Sequence, residues 1–165
     1  MAATIQLEIV TPDGHKLKED VEEFTAKSTQ GEFGVLPGHQ PLAAALTTGI
    51  VTYKKGGVTS SVAVGAGFVE VFHDRAVLLT NHYCEKQDVD PVRVRLELKQ
   101  ADEALDAYTG ELHAGEYKDL VAAELWAAVR LELYGDPPPP TVRTVHEFRG
   151  AGDLAAMANQ TTSRD

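Results

Sequence analysis

The hydrophobic pattern of this chain changes period once, close to Tyr83. Before that point apolar and polar residues alternate, and Gly, Pro, Asn and Asp punctuate the chain at short intervals. After it, Glu, Leu and Ala take over and apolar residues recur at helical spacing. That one switch predicts two parts in series, an all-β unit and then helices. The expected fold is β + α: an N-terminal β-sandwich of about ten short strands, followed by an antiparallel two-helix hairpin.

Within the first part, Ile5, Leu7 and Ile9 alternate with Gln6 and Glu8, the mark of a half-buried strand. Pro12-Asp13-Gly14 is a turn signal. A second extended segment covers roughly 21–28, with Phe24 and Ala26 on one face. Residues 49–55 and 58–64 read as strands joined by the tight turn Gly56-Gly57, with Val58, Val62 and Val64 sharing a face. Gly65-Ala66-Gly67 breaks the run; 68–72 and 75–81 then pair about His73-Asp74.

Between strands lies Gly31–Leu42, GEFGVLPGHQPL, which is too rich in Gly and Pro to read as a strand. Gly31, Gly34 and Gly38 give backbone freedom, whereas Pro37 and Pro41 fix φ. Phe33, Val35 and Leu36 are apolar inside it, and Glu32 and His39 are its ionisable side chains. Such a segment is either a packed corner or a shaped surface for a partner.

Asp90-Pro91 is a helix start, with Asp as N-cap and Pro at the first helical position. Val94, Leu98, Ala101, Leu105 and Tyr108 follow on one stripe. Gly110 and Gly115 bracket a break, and a second helix is expected over roughly 116–134 on Tyr117, Val121, Leu125 and Ala128. Its small residues Ala122, Ala123, Ala127 and Ala128 suit close helix–helix approach, and Trp126 and Leu125 suit anchoring or ordinary core. The expected division is 1–84 sandwich, 85–134 hairpin and 135–165 a Pro-rich tail, with a short helix near Asp153–Ala158.

Composition excludes several function classes. Lys+Arg 15 against Asp+Glu 25 gives net −10, the wrong sign for binding nucleic acid or an anionic membrane. The one cysteine, Cys84, excludes internal disulfides and Cys-based zinc. The N-terminus lacks a signal-peptide pattern, and no apolar run is long enough to span a membrane. No phosphate-loop, nucleophile-elbow or zinc-helix motif occurs, so no catalytic or metal residue is expected. Asp90 and Arg93 are a weak candidate for a nucleotide: Arg on phosphate and Asp on a ribose or amine, against a plain N-cap beside a solvated Arg.

Taken together, three stretches resemble the epsilon subunit of bacterial F-type ATP synthases, the counterpart of the mitochondrial delta subunit. These are GEFGVLPGHQPL with Gly49-Ile50, the stretch Gly65-Ala66-Gly67-Phe68-Val69-Glu70-Val71, and the LDxxRA-like segment Val89–Val94. The resemblance covers 4 to about 134 and implies a non-catalytic central-stalk subunit, peripheral on the cytoplasmic face of the bacterial inner membrane. It implies that the sandwich binds the gamma subunit and the ring of c subunits. Glu32, Phe33, Gly34, Pro37, Gly38 and His39 are then the candidate contacts. It further implies a hairpin that folds on the sandwich or extends into the α/β catalytic head to inhibit hydrolysis. No cofactor is required, and regulatory ATP at Asp90 and Arg93 is carried by some members.

The chain departs from that pattern. Val94 replaces the usual Ala, and Gln100 stands where ATP-binding relatives place an Arg. Residues 116–134 hold Lys118 and Arg130 against Glu116, Asp119, Glu124 and Glu132, a net of 2 − 4 = −2. The resemblance implies an often basic second helix that meets an acidic segment of the catalytic subunits; an acidic one gains no such attraction, so weak inhibition is expected. The competing classes are a small-molecule-binding β-module with a helical lid, which predicts a sandwich cavity, and a hydrolase, which predicts a nucleophile beside a base.

Overall fold

A computed structural model describes residues 3–139. The first ten elements are β-strands: β1 Ile5–Thr11, β2 Gly14–Val21, β3 Glu23–Ser28, β4 Gly31–Val35, β5 Leu42–Leu46, β6 Gly49–Lys55, β7 Val58–Val64, β8 Gly67–Phe72, β9 Arg75–Thr80 and β10 Tyr83–Glu85. Two helices follow, α1 Pro91–Asp106 and α2 Gly115–Tyr134. The tail helix expected near Asp153–Ala158 lies outside the described residues.

The strands form one hydrogen-bonded path in the order β10-β7-β6-β3-β5-β8-β9-β1-β2, with β4 added to β3. All pairs are antiparallel except β1 with β9. β3 and β5 meet through a single pair, Ser28↔Leu46, so the sheet divides there into two layers. At the far end the Glu22 N–H donates to the Lys54 carbonyl at 2.7 Å and brings the layers together. Ile5, Leu7, Ile9, Phe24, Val51, Val69, Val71 and Leu78 fill the space between them. Alternation dictates this: every second side chain on a strand must face the other layer.

Two expectations about the strands need correction. The segment Gly31–Leu42 is not all loop, because Gly31–Val35 is β4, in register with β3 from Phe24↔Val35 to Ser28↔Gly31. Gly31, at φ +119°, belongs to the turn that precedes pairing, where the Ser28 hydroxyl accepts the Gln30 N–H at 3.1 Å. Gly34 then sits on a strand with one free edge, where weak propensity is tolerated. Also unread in the sequence were β2, β5 and β10. Charge hides β2 (Lys16, Lys18, Glu19, Asp20), but it is an edge strand, and charge on an edge blocks unwanted pairing.

The hairpin forms as its caps dictate. Asp90 Oδ1 accepts the N–H groups of Val92 at 3.1 Å and Arg93 at 3.2 Å. Val94, Ala101 and Leu105 are buried, and Tyr108 meets Tyr117 at 5.3 Å between ring centroids. In α2, Ala127, Val129, Leu131 and Leu133 are all buried, because this half of the helix lies between α1 and the sheet. Ala122 and Ala123, expected at the helix–helix contact, are instead exposed. Val58 shares its phase with Val62 and Val64 but is 66% exposed, since it stands at the turn end of β7, beyond the core.

Candidate functional site

Leu36–Pro41 is the loop that remains between β4 and β5. It closes on itself: the His39 N–H donates to the Leu36 carbonyl at 3.0 Å, and His39 Nδ1 lies 2.6 Å from the Gln40 carbonyl oxygen. Gly38, at φ +79°, supplies the left-handed turn that an L side chain resists. Val35 anchors one end in the core, and Phe33 packs against it from the edge strand. Leu36 does not hold the corner, as its apolar side chain is 58% exposed at the start of the loop. Glu32 faces solvent on β4, in register with Lys27. Glu32, Phe33 and Gly34 therefore lie on a strand, whereas Pro37, Gly38 and His39 lie in the adjoining turn, and together they form one continuous rim.

The two outer faces of the sandwich each carry an apolar row, and sequence reading missed both as rows. One runs Ile50–Ala63–Cys84 across β6, β7 and β10. The helices cover it, with Ala127, Val129 and Val94 in the same cluster. The other runs Ala45–Phe68–Leu79–Val10 across β5, β8, β9 and β1. No described element covers this second row, where Phe68 is 66% and Leu79 52% exposed. The signal was present in the phase of each strand. Phe68 and Leu79 share a face with Glu70, Arg75 and Val77, where polar residues belong. Beside this row, Glu8 is buried under Arg75 at 3.0 Å and Lys18 at 3.7 Å. The Arg75 hydrogen bond holds its carboxyl below the ordinary range, so the strip is bordered by a fixed ion cluster.

Asp90 and Arg93 come together only through the backbone. Asp90 is used as the N-cap, while the Arg93 side chain bonds Glu97 Oε1 at 3.1 Å. Glu97 Oε2 in turn accepts from Arg130 on α2. Arg130 also donates to the Trp126 carbonyl at 3.2 Å and lies over the Trp126 ring, 5.3 Å from its centroid. Trp126 stacks on His82 at 5.1 Å, which ties α2 to the loop before β10. Arg130 is the cation that sequence reading missed, for it lies 37 positions beyond Arg93 and only the hairpin fold brings it to Glu97. A carboxylate already spans the two guanidiniums, so an incoming phosphate group competes with it.

Neither Cys84 nor Tyr83 is set up as a nucleophile. Burial pushes the Cys84 thiol up, so it stays protonated, and Sγ contacts the Glu85 carbonyl oxygen at 3.4 Å. Burial likewise raises the Tyr83 phenol, which donates to Glu85 at 2.9 Å. Among the described residues no His/Cys/Asp/Glu group is arranged to hold a metal, and no buried side-chain polar atom lacks a partner. No described helix is long and apolar enough to cross a membrane.

Comparison with known proteins points one way. A profile of the family described as "ATP synthase, Delta/Epsilon chain, beta-sandwich domain" matches residues 4–86. The ATP synthase epsilon chain of Trichlorobacter lovleyi is 38% identical over 135 residues, covering 82% of this chain and 96% of the relative. That of Geotalea daltonii is 41% identical with the same coverage. That of Anoxybacillus flavithermus is 43% identical over 104 residues, 63% of this chain and 78% of the relative. Among solved structures, a chain of the Euglena gracilis mitochondrial ATP synthase (OSCP/F1/c-ring) superposes with TM-score 0.59 at 24% identity, covering 80% of this chain and 78% of that one. A central stalk/c-ring chain of the Tetrahymena thermophila enzyme gives 0.52 at 14% identity, with 79% and 96% covered. At these identities the structural likeness speaks for the fold.

Proposed function

The chain belongs to the ATP synthase delta/epsilon family, and from that premise we propose that it is a central-stalk (rotor) subunit of a proton-translocating F-type ATP synthase. It performs no catalysis of its own. The observation that carries this reading is the alignment of 135 residues at 38% identity, which takes in 96% of an epsilon chain. A lidded small-molecule module has no support, because the sandwich interior is filled by side chains.

The subunit couples the c ring to the catalytic head through gamma, attached peripherally on the cytoplasmic face of the membrane. Such a role needs a stiff body with two separate contacts. The rim of Glu32–Gly34 and Pro37–His39 faces the c ring, with Leu36 exposed between the two segments. The uncovered row Ala45–Phe68–Leu79–Val10 receives gamma: it is apolar and flanked by charge, as an interface core with a polar rim should be. Pull-down from a complex-forming host is expected to recover gamma and c subunits, and Phe68→Glu with Leu79→Glu is expected to lose gamma. Both side chains are half exposed or more and point away from the space between the layers, so the core is untouched. Undiminished recovery of gamma by the double variant would refute this assignment. Glu32→Ala and His39→Ala, tested singly in proton-driven ATP synthesis, separate a contact role from a scaffold role at the rim.

The hairpin reaches toward the α/β head when it extends, but the net charge of −2 over its second helix, residues 116–134, and the Arg130–Glu97 bridge leave little positive charge to attract an acidic surface. Deleting residues 85–165 is therefore expected to raise ATP hydrolysis by the assembled enzyme only slightly. A large release would overturn that expectation.

Regulatory ATP at Asp90 and Arg93 is a second reading, favoured by one observation: two guanidiniums, Arg93 and Arg130, converge on one carboxylate. Glu97 is the competitor, so Glu97→Gln is expected to bind ATP about tenfold more tightly than the natural chain in calorimetric titration. Equal affinities would remove Glu97 as the competitor.

A further inference from the structure

The end of α2 is built to turn back. Gly135 adopts φ +108°, and its N–H is shared between the Leu131 and Glu132 carbonyls, both at 3.1 Å. The Asp136 N–H donates to Leu131 at 3.0 Å, which completes a paired-bond helix cap and reverses the chain. Asp136 Oδ2 then accepts from the Arg95 guanidinium, through Nε at 2.9 Å and through Nη2. Arg95 belongs to the beginning of α1, so the residue just past α2 is fastened to the start of its antiparallel neighbour. Pro137, Pro138 and Pro139 continue alongside α1 and line, with Leu98 and Leu131, a groove of about 390 Å³. Proline fixes φ and offers no N–H, so these residues lose little freedom on docking and cannot prolong α2.

We propose that Gly135–Pro139 is a strap that holds the helical hairpin closed, with the Arg95–Asp136 pair as its catch. Closure is a property of the isolated chain; only its consequence for hydrolysis rests on the stalk reading above. Arg95 is 52% and Asp136 51% exposed, so the catch is screened by salt and sets a bias rather than a lock. The strap counters the separation of α1 from α2 that an extended hairpin requires.

Amide hydrogen exchange on the full chain tests this. Arg95→Glu and Asp136→Arg are each expected to speed exchange across α1 and α2 about twofold to fivefold, leaving the sandwich unchanged. Swapping the charges, Arg95→Asp with Asp136→Arg, is expected to restore the natural rate, and high salt to erase the differences. Single variants that exchange like the natural chain, or a swap that fails to rescue, would overturn the strap. In the assembled enzyme the same variants read the consequence. If exchange responds and hydrolysis does not, the strap stands and the regulatory role of the hairpin falls.

Discussion

Gly67→Ala is expected to unfold the sandwich at denaturant concentrations the natural chain survives, with a loss of about 3 kcal/mol or more. An alanine Cβ there would lie 1.8 Å from the Leu79 carbonyl oxygen, 2.8 Å from its carbon and 2.9 Å from the Thr80 Cα. All three are backbone atoms of β9, so no rotamer change relieves the contact. β8 cannot move aside, because β5 holds its other edge through Leu46↔Gly67. Gly65→Ala makes the sharper comparison. Its Cβ would meet the Asn81 side-chain oxygen at 1.9 Å, and that group can rotate away. Urea unfolding is expected to rank the three proteins natural > Gly65→Ala > Gly67→Ala. A Gly67→Ala midpoint equal to that of the natural chain would mean that β8 and β9 are not spaced as described. The same pair presents Phe68 and Leu79, so a parted sheet also dissolves the proposed gamma surface.

This substitution shows what was legible in the sequence and what was not. Gly65-Ala66-Gly67 stood out as a break between strands, but only Gly65-Ala66 is one, and Gly67 is the first residue of β8. That Gly67 admits a carbonyl from a strand twelve positions on is a tertiary fact, and no local pattern carries it. Strands with a core phase, such as Ile5-Leu7-Ile9 and Val62-Val64, were plain, because burial on one side imposes period two. β2 and β4 were hidden, since an edge strand owes its pairing to a neighbour and tolerates charge or glycine. The helix start at Asp90-Pro91 was legible through its cap chemistry, which is local. The second partner of Glu97 was not: Arg93 lies one turn before it on the same helix, but Arg130 arrives from another. The candidate rim residues form a continuous segment that sequence alone can single out, whereas the row Ala45–Phe68–Leu79–Val10 draws one residue from each of four strands, and only their registers put them side by side.

Ala63→Arg is expected to release the hairpin while leaving the sandwich folded. Ala63 is fully buried, as is Ala127, in the cluster where the helices cover β7. Its neighbours in register are Ile50 and Cys84. An arginine side chain there is too large for the seam and carries a charge into it. The Cys84 thiol beside it feels Arg130 but also Asp88 and Glu85, so nearby charge neither clearly favours nor opposes the new guanidinium, and burial decides. Forcing a long side chain and its charge into a packed seam costs several kcal/mol, which shifts docking more than a hundredfold toward the undocked state. On the sandwich itself the position points outward, so water solvates the arginine once the helices leave, and the core between the sheets is untouched. Trp126 is the only tryptophan and stacks on His82, so its emission reports docking directly and is expected to shift to the red. Exchange should quicken in α2 and stay slow in β1, β8 and β9. This outcome differs from that of the strap variants, which loosen α1 from α2 but leave Trp126 on His82. Unchanged emission with unchanged exchange in α2 would show that the hairpin does not depend on the Ile50–Ala63–Cys84 row, and that sandwich and hairpin do not separate there. In the assembled enzyme, an undocked acidic hairpin tests its own charge: if hydrolysis stays at the natural rate, repulsion from the head outweighs the freedom to reach it.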